Sequence, residues 1–154
     1  MKFEHLVEIN SPGNPTIEPL TRELLWRGLV MRAESPTMFV PHLDACEILE
    51  RSEATMSRCL TYGELVINDR VSFLAQHQIC YQVPAQNDIP DSSLTMTIEE
   101  PQVDYLFVRF TYEDDSVDEG AGAMYNDFRR SAYRESDIDT IQLVRQLAAQ
   151  GRLG

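Results

Sequence analysis

An arginine and an aspartate facing each other on the inner side of a sheet could orient a polar group in an otherwise apolar pocket. This chain spaces Arg58 and Asp69 to do so. Gly63-Glu64 predicts a two-residue type II′ hairpin, with glycine at the first central position, where φ must be positive. The resulting register sets Tyr62 opposite Leu65, Leu60 opposite Ile67, Arg58 opposite Asp69 and Met56 opposite Val71. Because side chains alternate along strands, these residues share one face. The other face, with Ser57, Cys59, Thr61, Asn68, Arg70 and Ser72, is more polar, so the first face should look inward. Three readings of Arg58 and Asp69 fit: a structural ion pair, a surface pair after a register slip, or a polar anchor. As an anchor the pair would hold a ligand's carbonyl, carboxylate or phenol. In one register of the preceding hairpin, Glu47 joins Arg58 from the neighbouring strand.

Tyr62, Tyr81, Tyr112, Tyr125 and Tyr133 each pair an apolar ring with a hydroxyl, suited to core packing or to ligand contact. Tyr81, Tyr112 and Tyr133 join Arg58 and Asp69 as candidate ligand-binding residues. No catalytic residue is assigned. Trp26 reads as core. His5, His42 and His77 fall on a strand, a loop and a turn without HxH or HExxH spacing, so no metal is expected. Cys46, Cys59 and Cys80 form no CxxC and read as buried free thiols. There is no GxSxG, GxGxxG or P-loop, and no cofactor is expected. Glu99 and Glu100 point to opposite faces of a strand and make no acid/base pair.

The elements that must position these groups follow a simple order. Lys2 to Asn10 reads as a strand, and Thr21 N-caps a helix to about Ala33, within which Gly28 permits close packing on the sheet. Pro36 to Val40 allows one further short turn. Six strand-like runs follow: Ala45 to Glu50, Thr55 to Tyr62, Leu65 to Leu74, Gln78 to Val83, Ser93 to Glu99 and Asp104 to Glu113. Their short separations suit an antiparallel meander. The longest gap, Pro84 to Ser92, should be an exposed loop and a lip of any pocket. Glu113 to Glu119 carries five acids in seven residues and reads as a solvated run that favours the next helix N-terminus.

From about Gly122 to Gln150 the pattern is helical. Met124, Phe128 and Ala132 form one stripe; Ile141, Val144, Leu147 and Ala148 form another, turned well away from it. Either the helix bends near Ser136, where Ser136-x-x-Asp139 resembles a capping box, or it runs on unbroken. The unbroken helix, preferred here, packs on the sheet at its C-terminal half and covers a cavity at its N-terminal half. Gly151 ends it, with Arg145 near its negative end.

The net charge of −12 argues against nucleic-acid and anionic-membrane partners, which need positive footprints. No apolar run is long enough to span a bilayer, and the N-terminus does not read as a signal peptide. With unpaired cysteines, the expected location is cytoplasmic.

On these elements the chain resembles the helix-grip fold of the START/SRPBCC superfamily, which includes polyketide cyclases and the plant pollen-allergen proteins. Leu43-Asp44-Ala45-Cys46-Glu47-Ile48-Leu49-Glu50, Ser93-Leu94-Thr95-Met96-Thr97-Ile98 and Ser131 to Thr140 look like the AtaL-like family within it. Asp69-Arg70-Val71 is similar to a run on the equivalent pollen-allergen strand, whose aspartate faces the cavity. The resemblance implies an α+β class and a single domain over residues 1–154. Its architecture is a seven-stranded curved antiparallel sheet wrapped around a long C-terminal helix, with one or two short helices between strands 1 and 2. It specifies fold far more than activity. The expected partner is a small hydrophobic or aromatic molecule bound between sheet and helix, with a homodimer left open. Two other classes fit: a cofactor-independent cyclase, aldolase or dehydratase on a polyketide-like substrate, and a protein-interaction domain without a ligand.

Overall fold

A computed structural model describes residues 1–154. Strand β1 (Lys2–Asn10) leads to helix α1 (Arg22–Glu34) and a 3-10 turn at Pro36–Met38. Strands β2 (Ala45–Arg51), β3 (Thr55–Tyr62), β4 (Leu65–Leu74), β5 (Gln78–Val83), β6 (Ser92–Gln102) and β7 (Tyr105–Asp114) follow, and helix α2 (Ala121–Ala149) closes the chain. All seven strands form one curved antiparallel sheet in the order β1-β7-β6-β5-β4-β3-β2. Strands β2 to β7 pair in chain order, through short turns except for the loop between Val83 and Ser92, and β1 adds to the far edge beside β7. This is the helix-grip architecture, with α1 and α2 laid against one face of the sheet.

Local signals explain the boundaries. Thr21 accepts a hydrogen bond from the Leu24 amide at 3.1 Å, and Glu23 lies in the first turn of α1. Gly63, at φ 60°, makes the β3–β4 turn and sets Arg58 opposite Asp69 and Tyr62 opposite Leu65. The core between sheet and helices includes Phe3, Ile9, Leu25, Leu29, Val71, Ile79, Met96, Val108, Phe110 and Val144. Each large side chain fully buried there contributes roughly 1.5–3 kcal/mol. Trp26 is half-buried against this core.

Gly28 packs on α2 rather than on the sheet. A methyl group there would sit 2.5 Å from Val144 Cγ1, so the two helices touch where one side chain is missing. Helix α2 is unbroken through Ser136. Its inner stripe runs Asn126, Arg129, Tyr133, Asp137, Thr140, Val144 and Leu147, every residue three or four from the next and all buried or half-buried. Met124, Phe128 and Ala132 therefore point outward, with Met124 79% and Phe128 72% exposed. The first half of the helix turns polar side chains inward, so its apolar stripe does not mark its buried face.

Several other expectations are corrected. Cys46, Cys59 and Cys80 are half-buried rather than buried. The β2–β3 register pairs Glu47 with Cys59 and Ile48 with Arg58, which leaves Glu47 exposed on the outer face. Arg145 reaches the carbonyls of Ile9 and Glu18 instead of its own helix end. Asp114, at the head of the acidic run, is tied to Arg129 and only 5% exposed, whereas the rest of the run is mostly open to solvent. No helix is long and apolar enough to cross a membrane.

Candidate functional site

Beneath the N-terminal half of α2 lies a cavity of about 340 Å³. Strands β3 to β7 form its floor, the end of α1 and the Pro36–Leu43 segment one wall, and Arg129 and Tyr133 of α2 its roof. Leu43, Leu60, Val83 and Leu94 supply apolar surface. Arg58, Asp69, Tyr81, Tyr112 and Tyr133, drawn from four strands and α2, all line it together with Tyr62. Tyr125, 63% exposed, does not.

Arg58 and Asp69 form a buried bidentate pair, Arg58 Nε to Asp69 Oδ1 at 2.9 Å and Nη2 to Oδ2 at 2.5 Å. Arg58 Nη1 also donates to the Ala33 carbonyl at 2.8 Å, which fastens β3 to the end of α1. Burial works against the Arg58 charge, but Asp69 outweighs it and holds the guanidinium above its ordinary range.

Arg32 has no such partner. It descends from the last turn of α1 with its guanidinium carbon 5.1 Å from the centroid of Tyr81; Arg58 lies 5.0 Å from the same ring. Arg32 Nε and the Tyr81 hydroxyl are buried and without a hydrogen-bond partner, and they are the protein's two such side-chain atoms. Burial opposes the Arg32 charge, yet the neighbouring Tyr81, Tyr112 and Asp137 keep its pKa raised. Sequence reasoning passed over Arg32, although its spacing of three from Leu29 and seven from Leu25 placed it on the inward face of α1.

A second polar group joins α2 to the sheet beside the cavity. The Tyr112 hydroxyl donates to Asp137 Oδ1 and Oδ2 at 2.8 and 2.9 Å, and His5 Nε2 lies 2.6 Å from Oδ2. Burial raises the pKa of Asp137, with the His5 and Tyr112 contacts opposing. Burial, then the Asp137 charge, raises that of Tyr112 far above its ordinary value. Tyr112 stacks on Tyr133 with centroids 3.8 Å apart and planes 5° from parallel. At the rim, Arg129 pairs with Asp114 and donates to the Tyr133 hydroxyl at 3.0 Å. His5, set aside in the sequence as metal-poor, thus has a structural partner that only the fold brings near. Asp137 carried a readable signal, a carboxylate on the same helical stripe as Val144.

Taken together, the cavity offers flat aromatic and aliphatic walls, one satisfied ion pair and unspent hydrogen-bond donors. Two other hollows, at Thr16–Leu20 against the end of α2 and among Lys2, Asp91 and Glu113, contain no buried unpartnered polar atom.

The comparisons with known proteins agree with this architecture. The Zhui aromatase/cyclase from Streptomyces sp. R1128 superimposes with a TM-score of 0.61 at 13% identity, over 96% of this chain and 95% of that one. A START superfamily protein from Mycobacterium smegmatis gives 0.65 at 14% identity, over 95% and 98%. Human STARD10 gives 0.65 at 9% identity over 97% of this chain, which spans 65% of that one. At these identities the likeness is one of fold. No curated protein matches the sequence. The family model described as acetylaranotin biosynthesis cluster protein L, AtaL, matches residues 7–151, and the chain belongs to that AtaL family.

Proposed function

We propose that this protein holds a small, mainly apolar or aromatic molecule in the cavity between sheet and α2. The observation that carries this reading is the pair of buried, unpartnered polar atoms, Arg32 Nε and Tyr81 Oη, on the wall of one cavity. Leaving such groups unmade costs about 1–3 kcal/mol each, a cost that a bound molecule would recover. The volume also falls within the range of roughly 300–1,000 Å³ typical of ligand pockets. Arg58 and Asp69 act as a fixed polar floor, Tyr81 as a donor, and the stacked Tyr112 and Tyr133 as a flat wall. The neutral fluorophore N-phenyl-1-naphthylamine tests this. It should brighten on titration with the full chain, and Leu94→Trp, which fills the cavity, should abolish the signal while the far-ultraviolet spectrum stays unchanged. No binding to the unaltered protein, or equal binding by the filled variant, would defeat the reading.

A second reading is supported by two guanidinium groups lying over the Tyr81 ring on the cavity wall, a concentration of positive charge that would stabilise a developing enolate oxygen. The protein would then be a cofactor-independent cyclase, aldolase or dehydratase, a class that includes the Zhui aromatase/cyclase whose fold it shares. Protein-dependent deuterium exchange at the α-carbon of an aryl β-diketone, lost in Tyr81→Phe, would support it. Exchange at the solvent rate would exclude it for that substrate class.

A further inference from the structure

The charges around the cavity do not cancel. Arg58 is paired with Asp69, and Arg129 with Asp114. Glu113 at the rim pairs outward with Lys2 at 3.6 Å. Arg32 makes no salt bridge, and the Tyr81 side chain rather than a carboxylate lies against its guanidinium; Asp137, which influences it at longer range, is already engaged by His5 and Tyr112. A chain of net charge −12 therefore turns one uncompensated cation into its cavity, although it has acidic residues to spare. Arg32 is half-buried with its Nε sealed from water, so an anion entering the cavity would gain by completing its charge.

The geometry narrows what completes it. A guanidinium presents its donors in a planar fork that matches a carboxylate. Arg32 has no carboxylate on that fork, and Tyr81, whose ring it covers, brings a hydroxyl as a further donor to the same wall. The rest of the wall, Leu60, Leu94 and the Tyr112–Tyr133 stack, suits a flat apolar body. We propose that the ligand of this cavity is an organic monoanion, a flat apolar body whose carboxylate is held by Arg32 and Tyr81. This rests on the cavity-binding reading above and names the chemical class it selects. Arg58 has its Nε and both terminal nitrogens engaged and acts as a positioning residue, holding β3, β4 and the end of α1 where Arg32 enters.

The test is a matched pair, 2-naphthoate and 2-naphthamide, equal in shape and different in charge. Both are titrated against the full chain by fluorescence, beside N-phenyl-1-naphthylamine as a cavity probe. The unaltered protein should bind the acid at least tenfold more tightly than the amide. Arg32→Met should remove that preference by bringing the acid's affinity down to that of the amide, and continued brightening of the cavity probe shows the cavity intact. Tyr81→Phe, which keeps the ring, should weaken the acid several-fold more than the amide and serves if Arg32→Met does not fold. Equal affinity for acid and amide, or an acid preference that survives in both variants, overturns the inference. So does binding of the cavity probe with neither naphthalene derivative. Failure of all three compounds to bind overturns the cavity-binding reading as well.

Discussion

Asp69→Ala is expected to destabilise the protein by about 3–5 kcal/mol, because it leaves Arg58 buried and charged with no counter-ion. Both side chains are nearly sealed, at 4% and 2% exposure, so water cannot substitute for the lost carboxylate. The energy of the pair itself is a different quantity. Removing two charges together abolishes the desolvation cost along with the attraction, so Arg58→Met combined with Asp69→Leu should recover most of the loss. A residue of about 1 kcal/mol should remain, because the Ala33 carbonyl loses the donor that Arg58 Nη1 supplied. Urea unfolding of the three proteins measures this. If Asp69→Ala unfolds within about 1 kcal/mol of the parent, Arg58 has found another partner and the pair is not what ties β3, β4 and α1 together.

The second large effect concerns the clamp between α2 and the sheet. Asp137→Ala should cost about 2–5 kcal/mol, since the Tyr112 hydroxyl and the His5 ring both lose a buried acceptor at about 1–3 kcal/mol each. His5 is 11% exposed, and water there compensates part of its share. The loss should depend on pH in a defined sense. Burial raises the Asp137 carboxyl above its ordinary value of 3.8, with His5, Tyr112 and the Arg32 charge opposing but not reversing it. A carboxyl raised on folding contributes stability that is complete below its unfolded pKa and is lost as pH rises through its folded pKa. The difference between the parent and Asp137→Ala should therefore be larger at about pH 4 than at about pH 7. A difference that grows with pH would mean that Asp137 is held mainly as a carboxylate by His5, the opposite balance.

The clamp also bears on the cavity, because Asp137 lies one helical turn beyond Tyr133 on the inner stripe of α2. Loosening it should free the roof before it unfolds the core, whose Val144 and Leu147 contacts lie farther along the helix. Cavity-probe binding in Asp137→Ala should accordingly weaken even where the protein remains folded.

Much of this was legible in the chain alone, for local reasons. Strand limits follow from alternation and helix limits from caps such as Thr21 and Gly151, which depend on neighbouring residues only. One glycine, Gly63, set the β3–β4 register and with it the inward direction of Arg58 and Asp69. Tyr81 and Tyr112 were candidates only by residue type, a ring with a hydroxyl, and the packing of β5 and β7 places both on the inner face. Hydrophobic pattern misled where the buried side chains are polar. Arg129, Tyr133 and Asp137 occupy the inner stripe of α2, so the outward Met124, Phe128 and Ala132 looked like the buried face.

What only the tertiary structure decided are meetings between residues far apart in sequence. His5 reaches Asp137 across 132 positions, Gly28 admits Val144, and Arg32 arrives unpaired beside Tyr81. Sequence patterns report whether a side chain is buried through its own element's period. They carry no information on which other element arrives opposite, because that depends on how a curved sheet and two helices pack around one core. The chain by itself therefore determined a cradle with an inward ion pair. The packing of its elements decided that a different arginine, left without a partner, is the charge its cavity presents.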